Sequence, residues 1–182
     1  SIDNKEIPEK WRVFRFGDIF DIVNGFTPLR SNDEFWNKNE IPWFTVEDIN
    51  EQGRIINYTK QFITKKALGK SSKRLLPKDT VLLCCTASVG EYAITNIELT
   101  TNQQFNGLVI KEEIKDYVLP MYVFEYVKTL KSKLISKAGK TTFNFLSTKK
   151  LSEFEIPIPP VEKQKIIVDK IEELFSKLDE TK

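Results

Sequence analysis

Residues 156–168 read Ile-Pro-Ile-Pro-Pro-Val-Glu-Lys-Gln-Lys-Ile-Ile-Val, and they mark the point where a folded unit passes into an exposed helix. Pro157, Pro159 and Pro160 argue against a central strand, because proline has no N–H to donate to a strand ladder. Pro160 also has the fixed φ that suits the first turn of a helix. The stretch therefore predicts an edge strand that is followed directly by a helix.

The predicted helix is amphipathic, and its seam has the spacing of a coiled coil. Steps of three and four residues separate Gln164, Ile167, Ile171, Leu174 and Leu178. Such a repeat favours packing against a second helix. We expect the four apolar members of this seam, Ile167, Ile171, Leu174 and Leu178, to form that helix interface.

The residues before this helix predict one domain of mixed strands and helices. At 182 residues and 40% hydrophobic composition, the chain is long enough for one ordinary core and a short appendage. Helical spacing predicts a long helix from Pro120, and Thr64 and Ser147 suit the caps of two short helices. Short apolar runs predict strands over residues 11–14, 20–23, 41–46, 80–85, 91–95, 105–110 and 154–158. Turns are expected over residues 16–19, 48–53 and 88–90.

These elements together indicate an α+β fold. We predict a curved, many-stranded sheet with a few short helices, followed by a C-terminal amphipathic coiled-coil helix. The predicted domain covers residues 1–158, and the predicted helix covers residues 159–182.

Composition excludes several classes of protein. The chain has no histidine, which removes imidazole bases and the usual mixed Cys/His metal sites. The apolar run at 81–85 is too short to cross a bilayer, and the N-terminal residues lack the pattern of a signal peptide, so we expect a cytoplasmic protein without a membrane partner. Cys84 and Cys85 are adjacent on a predicted strand and point to opposite faces, so we expect no disulfide, no zinc and no cofactor.

The net charge of +2 conceals a strong segregation of charge. Residues 52–78 contain eight basic and no acidic residues, and residues 126–152 contain seven basic and no acidic residues. The rest of the chain holds 13 basic residues against all 26 acidic ones. Such asymmetry is typical of a surface that binds a polyanion, although lysine-rich solvated faces and loops have the same pattern.

Two enzymatic interpretations fail or are weak. Gly69-Lys70-Ser71 and Gly139-Lys140-Thr141 resemble the end of a phosphate-binding loop, but the glycine required five positions before the second glycine is absent from both. Asp79, Glu113 and Lys115 have the residue types of a magnesium-dependent nuclease, a pattern that any chain rich in lysine and glutamate contains by chance.

Two polar loops have the residue types that contact DNA. Thr100-Thr101-Asn102-Gln103-Gln104 lies between two predicted strands, and Asn and Gln pair with adenine in the major groove. Lys140-Thr141-Thr142-Phe143-Asn144 combines a cation, hydroxyls, an aromatic ring and an amide, as phosphate-binding loops do. A loop whose side chains only satisfy buried backbone groups is an equal alternative for the first.

Several segments, taken in order, resemble the specificity subunits of type I restriction-modification enzymes. They are Phe16-Gly17-Asp18-Ile19, Gly25-Phe26-Thr27-Pro28, Ile41-Pro42-Trp43, Ser88-Val89-Gly90, Thr101-Asn102-Gln103, Ile156-Pro157-Ile158-Pro159-Pro160 and Glu162-Lys163-Gln164. The resemblance covers one target recognition domain and the start of a spacer helix. Since such subunits usually carry two of each, we expect either a fragment or a half-length subunit that pairs with a copy of itself. The family often has glycine at position 26, so Phe26 is not expected to have a functional role.

The resemblance implies a non-catalytic module that reads one half of a split target in double-stranded DNA. Methyltransferase and restriction subunits would be its partners, and self-association through the C-terminal helix is a further expectation. Alternatives from other classes are a magnesium-dependent nuclease and a basic domain that binds an acidic protein.

The residues expected to contact DNA fall into two groups. The lysines of residues 60–78 and 128–150 would grip phosphates. Loop side chains would read bases, namely Thr101, Asn102, Gln103, Ser71, Ser72, Arg74, Lys140, Thr141 and Thr142. The expected set is Lys60, Lys65, Lys66, Lys70, Ser71, Ser72, Lys73, Arg74, Thr101, Asn102, Gln103, Lys137, Lys140, Thr141 and Thr142. Because the 101–103 segment is shared by relatives that read different sequences, it is also a candidate for support of the site rather than readout.

Overall fold

The computed structural model describes residues 10–86, 90–138 and 147–179, with side chains except at positions 131–138 and 179. The strands are Arg12–Arg15 (β1), Phe20–Asn24 (β2), Ile41–Phe44 (β3), Ile55–Ile56 (β4), Gln61–Ile63 (β5), Val81–Cys84 (β6), Tyr92–Thr95 (β7), Thr100–Thr101 (β8), Phe105–Ile110 (β9) and Glu155–Ile158 (β10). The α-helices are Phe16–Ile19 (α1), Val46–Gln52 (α2), Lys65–Leu68 (α3), Pro120–Ala138 (α4), Thr148–Ser152 (α5) and Val161–Asp179 (α6). Short 3₁₀ helices cover Asp33–Phe35, Ser72–Arg74 and Glu112–Ile114.

The predicted α+β class is confirmed, but these strands form three sheets rather than one. The largest has the order β2-β9-β6-β7-β4, in which only the β4–β7 pair is parallel. A second sheet has the order β5-β3-β8, and the third is the antiparallel pair β1-β10. The third sheet stays small because Pro157 and the prolines after β10 cannot donate to a further strand.

The five-stranded sheet is buried on both faces, and its central strand β6 shows this most clearly. Val81 and Leu83 pack in one hydrophobic cluster together with Val123 and Val127 of α4. Leu82, between them, belongs to the cluster on the opposite face. Cys84 and Cys85 divide in the same way, and both thiols are free and buried. Burial raises the pKa of the Cys85 thiol to about 11.

Two segments predicted as turns are helices. Residues 16–19 form α1, where the backbone N–H of Arg15 donates to the Asp18 carboxylate. Residues 46–52 form α2, so β3 ends before Val46 and the expected turn at 48–53 is wrong. The reason is a capping interaction: the N–H of Thr45 donates to Asp48 Oδ2 at 2.9 Å. Asp48 is buried, which raises the pKa of its carboxyl group, and its other oxygen accepts the N–H of Lys60.

The other predicted helix starts are confirmed. Thr64 caps α3 by accepting the N–H of Ala67, Ser147 caps α5 by accepting the N–H of Lys150, and α4 begins at Pro120. The predicted turn at 88–90 lies outside the described residues except for Gly90.

The start of α6 is fastened to the domain by a buried amide. Gln164 has no exposed surface, and its Nε2 donates to the carbonyls of Tyr117 and Pro159, both at 2.8 Å. Its Oε1 accepts the N–H of Leu119 at 2.8 Å. The bonds to Tyr117 and Leu119 join the helix to the segment that leads into α4, and the bond to Pro159 fixes the turn before α6. Gln164 therefore belongs to the interior of this chain and not to a free helical seam, which corrects the expectation for this residue.

The predicted C-terminal helix is present, and its apolar residues differ in environment along its length. Ile167 is half-buried and packs on the main core, beside the buried Val168. Ile171 is also half-buried, whereas Leu174 is 51% and Leu178 is 59% exposed. The coiled coil and the boundary between residues 158 and 159 stay predictions.

Among the described residues, no helix is long and apolar enough to cross a membrane.

Candidate nucleic-acid interface

The polar loop between β8 and β9 is held in place by backbone hydrogen bonds to two other strands. The N–H of Gly25 donates to the carbonyl of Phe105 at 3.0 Å, and the N–H of Phe26 donates to that of Thr101 at 2.8 Å. On the other side, the N–H of Asn102 donates to the carbonyl of Phe44 at 3.2 Å. The loop thus lies between the end of β2 and the end of β3.

Gly25 is required where β2 meets this loop. A Cβ atom at this position would lie 2.0 Å from the carbonyl oxygen of Asn102 and 2.4 Å from that of Thr101. Both are backbone atoms, which cannot move aside as a flexible side chain can. Glycine therefore lets the two segments approach closely enough to form their hydrogen bonds.

The side chains of the loop differ in what they offer to a ligand. Thr101 is 1% exposed, and its hydroxyl donates to the carbonyl of Phe44. Asn102 is half-buried, and its Oδ1 accepts the N–H of Gln104 at 3.1 Å, which closes the turn. The geometry of these two side chains favours a role in supporting the loop. Their predicted contacts with bases stay predictions.

Gln103 and Gln104 are the exposed members of the loop. The hydroxyl of Thr27 donates to Gln103 Oε1, and Asn24 Nδ2 donates to the carbonyl of Gln103 at 3.3 Å. The Gln103 amide is thereby oriented at the end of β2 while its Nε2 group makes no hydrogen bond with a described residue. An amide held in this way can donate to an acceptor on a ligand.

An aromatic cluster lies on the loop between β2 and β3. Trp36 and Trp43 pack edge to face with ring centroids 5.2 Å apart, and the Arg30 guanidinium lies 3.9 Å from the Trp36 centroid. Trp43 Nε1 donates to the carbonyl of Phe26 at 2.9 Å. The cluster ties this long loop to the small sheet beneath it.

Folding brings acidic side chains to part of the basic segment at 52–78. Lys60 forms an ion pair with Glu51 at 3.1 Å, and this hydrogen bond raises the pKa of Lys60. Lys66 forms an ion pair with Glu34. Both acids lie outside the segment in sequence, so a count of charges along the chain misses them. These two lysines are less available to a polyanion than their position in the basic run indicates.

The remaining predicted residues of the segment stay accessible. Lys65, Lys70, Lys73 and Arg74 are exposed and form no ion pair with a described residue, and Ser71 and Ser72 are exposed beside them. The 3₁₀ helix 72–74 packs against β2, and the Arg74 guanidinium lies 4.4 Å from the centroid of the Phe26 ring. Arg74 thus lies at the same end of β2 as Gln103.

Most of the predicted DNA contacts of the second basic segment lie outside the described residues or side chains. Lys140, Thr141 and Thr142 lie outside the described residues, and Lys137 lies in α4 at a position whose side chain is not described. Their predicted contacts with DNA stay predictions.

Three parts of this surface are missing from the expected set of residues. Gly25 and Thr27 have partners 76 to 80 positions away in the chain, so no local pattern indicates their roles. Arg30 lies over Trp36 only six positions away, but its hydrogen-bond partner Gln61 is 31 positions away. One local signal was available in the loop, because Asn followed two residues later by a polar residue is typical of an Asx turn.

Among the described residues, no group of three His, Cys, Asp or Glu side chains could hold a metal ion, so the magnesium-nuclease alternative gains no support there.

The chain is similar in sequence to one well-defined family. The family model for the type I restriction modification DNA specificity domain matches residues 8–182. The specificity subunit of the type I restriction enzyme MjaIX from Methanocaldococcus jannaschii is 37% identical over 166 residues, which are 90% of this chain and 38% of that protein. The chain therefore spans about two fifths of the length of this curated relative.

Solved structures show the same fold. The HsdS subunit from Thermoanaerobacter tengcongensis matches with a TM-score of 0.72 and 23% identity, over all of this chain and 42% of that one. A structure of the type I R-M system, concerned with complex assembly and conformational transition, matches with a TM-score of 0.76 and 21% identity over the same shares of the two chains. At these identities the likeness is one of fold.

A Gly25→Ala substitution tests whether the close approach of residue 25 to the carbonyls of Thr101 and Asn102 stabilises the loop. We expect the free energy of unfolding to fall by about 1–3 kcal/mol, as overpacking against fixed backbone does. Chemical denaturation followed by tryptophan fluorescence measures this change. Ser31→Ala, at an exposed position of the same connection, is the control and should stay within about 0.5 kcal/mol of the wild type. Equal midpoints for Gly25→Ala and the wild type would contradict the proposed constraint.

Proposed function

The chain belongs to the family of type I restriction modification DNA specificity domains, and on that basis we propose that it reads one half of a split target in double-stranded DNA. In this proposal the chain supplies recognition and has no catalytic role of its own. Partner subunits carry out methylation and cleavage of the DNA.

One observation supports a DNA-reading surface above the others. The end of β2 gathers the oriented amide of Gln103 and the stacked guanidinium of Arg74, although the two lie about 30 positions apart in sequence. The segment that carries Arg74 also exposes lysines without an acidic partner among the described residues. Cations attract the phosphates of any duplex, whereas amide and guanidinium groups read base edges. A surface that combines both is suited to a double-stranded nucleic acid.

We assign the phosphate contacts on this surface to Lys65, Lys70 and Lys73. Their ammonium groups are exposed and have no ion-pair partner among the described residues. Lys60 and Lys66 contribute less in this proposal, because Glu51 and Glu34 already neutralise them. Ser71 and Ser72 supply further hydrogen-bonding groups on the same exposed turn.

Base reading is assigned to Gln103, with Thr101 and Asn102 as its support. The Gln103 amide is exposed and fixed by Thr27, whereas the other two side chains are occupied within the loop. Such an amide donates to acceptors in the major groove, where each base pair presents a distinct pattern.

The relative that the chain resembles is a specificity subunit, and the structurally similar type I R-M system is described as a complex. We therefore propose methyltransferase and restriction subunits as partners.

The test is sequencing of methylated bases in DNA from cells that contain the methyltransferase with or without a subunit carrying this chain. A methylated adenine in a split motif, present only with the chain, is the expected result. The same methylation from the methyltransferase alone would overturn the proposed function.

The lysine assignment predicts a specific change in salt dependence. Binding to a labelled duplex is measured by fluorescence anisotropy at several salt concentrations. Replacing both Lys70 and Lys73 by Ala should reduce the slope of log K against log salt by about 2, because each phosphate contact contributes about 0.9.

Replacing both Lys60 and Lys66 by Ala is the matched control, because it removes the same formal charge. We expect a smaller change in slope, since these lysines are already paired. Equal slopes for the two double variants would show that only net charge matters and would contradict the assignment.

The exposed part of α6 is proposed to pack against a second helix of the same kind. Ile167 and Ile171 begin this stripe beside the domain, and it continues through Leu174 and Leu178, each more than half exposed. A second copy of the helix offers the matching stripe. Self-association of the chain is the consequence.

Leu174→Asp tests this helix pairing. A charge in the seam should shift the light-scattering mass from dimer towards monomer at concentrations where the wild type is dimeric. Ser176→Asp adds the same charge to the same helix about 200° around its axis, and it should leave the mass unchanged. An unchanged mass for Leu174→Asp would refute the pairing.

A further inference from the structure

Three of the five arginines in this chain lie against aromatic rings. Arg30 lies over Trp36, Arg54 lies 4.2 Å from the centroid of Tyr92, and Arg74 lies 4.4 Å from that of Phe26. A ring on one face of a guanidinium limits its movement and leaves the N–H groups in its plane free to donate. What those N–H groups do distinguishes the three residues.

Two of these arginines donate hydrogen bonds to other residues of this chain. Arg54 Nη1 donates to Glu91 Oε2 at 2.8 Å and to the carbonyl of Tyr92 at 2.9 Å, so its charge is neutralised locally. Arg30 Nη1 donates to Gln61 Oε1 at 3.0 Å, and its guanidinium also lies 4.8 Å from the centroid of Trp43. Both residues fasten one segment to another.

Arg74 is different, because its guanidinium is stacked but has no hydrogen-bonding partner in the part of the chain that the structure describes. Its side chain is exposed and forms no hydrogen bond or ion pair with a described residue. Phe26 is itself half-buried against the cluster around Ile41, Trp43 and Ile63, so the ring is a fixed platform. The stacked guanidinium loses less conformational freedom on binding than a free arginine would.

The position of Arg74 places it beside the amide that is proposed to read bases. Phe26 donates its N–H to the carbonyl of Thr101, and the next residue, Thr27, orients Gln103. The 3₁₀ helix that carries Arg74 packs on β2, whose last residue, Asn24, bonds to the carbonyl of Gln103. Arg74 and Gln103 are thus held by neighbouring residues of one segment, Arg74 by Phe26 and Gln103 by Asn24 and Thr27.

We infer that Arg74 reads a guanine in the DNA target and that Phe26 is the residue that positions it. This inference rests on the proposed function. Guanine presents two acceptors, O6 and N7, in one plane in the major groove, and this pair matches the planar fork of a guanidinium. A phosphate contact would use the same fork, but it would be insensitive to base sequence.

The experiment compares methylation motifs in cells that contain the methyltransferase and a subunit carrying wild-type or variant chain. The wild-type motif should contain a strongly required guanine in the half-site read by this chain. Arg74→Lys should relax that position alone, lowering the preference for guanine by about tenfold, because an ammonium cannot make the bidentate contact. Phe26→Leu should relax the same position, and Phe26→Trp should retain the preference because it keeps an aromatic face.

The controls distinguish an effect on the position of Arg74 from an effect on the folding of the chain. A folding defect lowers methylation at all sites without altering the motif, and thermal unfolding of the Phe26→Leu chain measures any such loss directly. Arg12→Lys, at an exposed position on β1, should leave the motif unchanged.

Four outcomes would overturn the inference. A wild-type motif without a required guanine, or an unchanged preference in Arg74→Lys, would overturn it while leaving the proposed function intact. A uniform loss of methylation at every site in Arg74→Lys would make Arg74 a phosphate contact. Absence of any chain-dependent methylation in the wild type would overturn the proposed function and this inference with it.

Discussion

The structure depends above all on a five-stranded sheet that is buried on both faces. Strand β6 sends alternate side chains into two separate hydrophobic clusters, and α4 covers one of them. A sheet buried on both sides cannot change register without moving apolar side chains from one cluster to the other. The loops at the strand ends therefore start from fixed positions, and the candidate interface is built on the end of β2, an edge strand of this sheet.

Local sequence predicts the fold well where one segment decides its own structure. The continuous apolar run at 81–85 predicts β6, and the caps at Thr64 and Ser147 predict two short helices. The missed helix α2 had a readable signal, since Thr45 followed by Asp48 is a capping pair. What could not be predicted is the division of strands among three sheets, because pairing joins segments far apart in sequence.

In the candidate interface, too, contacts between residues far apart in sequence could not be predicted. The sequence indicates which segments are polar or basic, but not that Glu34 and Glu51 neutralise two of the lysines. Nor does it indicate that the Phe26 ring carries the guanidinium of Arg74. Each of these pairs joins residues 9 to 48 positions apart through tertiary folding. The number of lysines available to bind a polyanion is therefore a property of the folded surface, and composition alone overstates that number.

The attachment of the polar loop separates its framework from the groups that it exposes. Four backbone groups, those of Gly25, Phe26, Asn102 and Phe44, hold the loop between the ends of β2 and β3, together with the Thr101 hydroxyl and the Asn24 amide. Gln103 and Gln104 project from this framework and are exposed. Substitutions at these two positions are therefore expected to cost the fold little. Under the proposed function, the groups that such a surface presents to DNA can change while the framework that carries them stays the same.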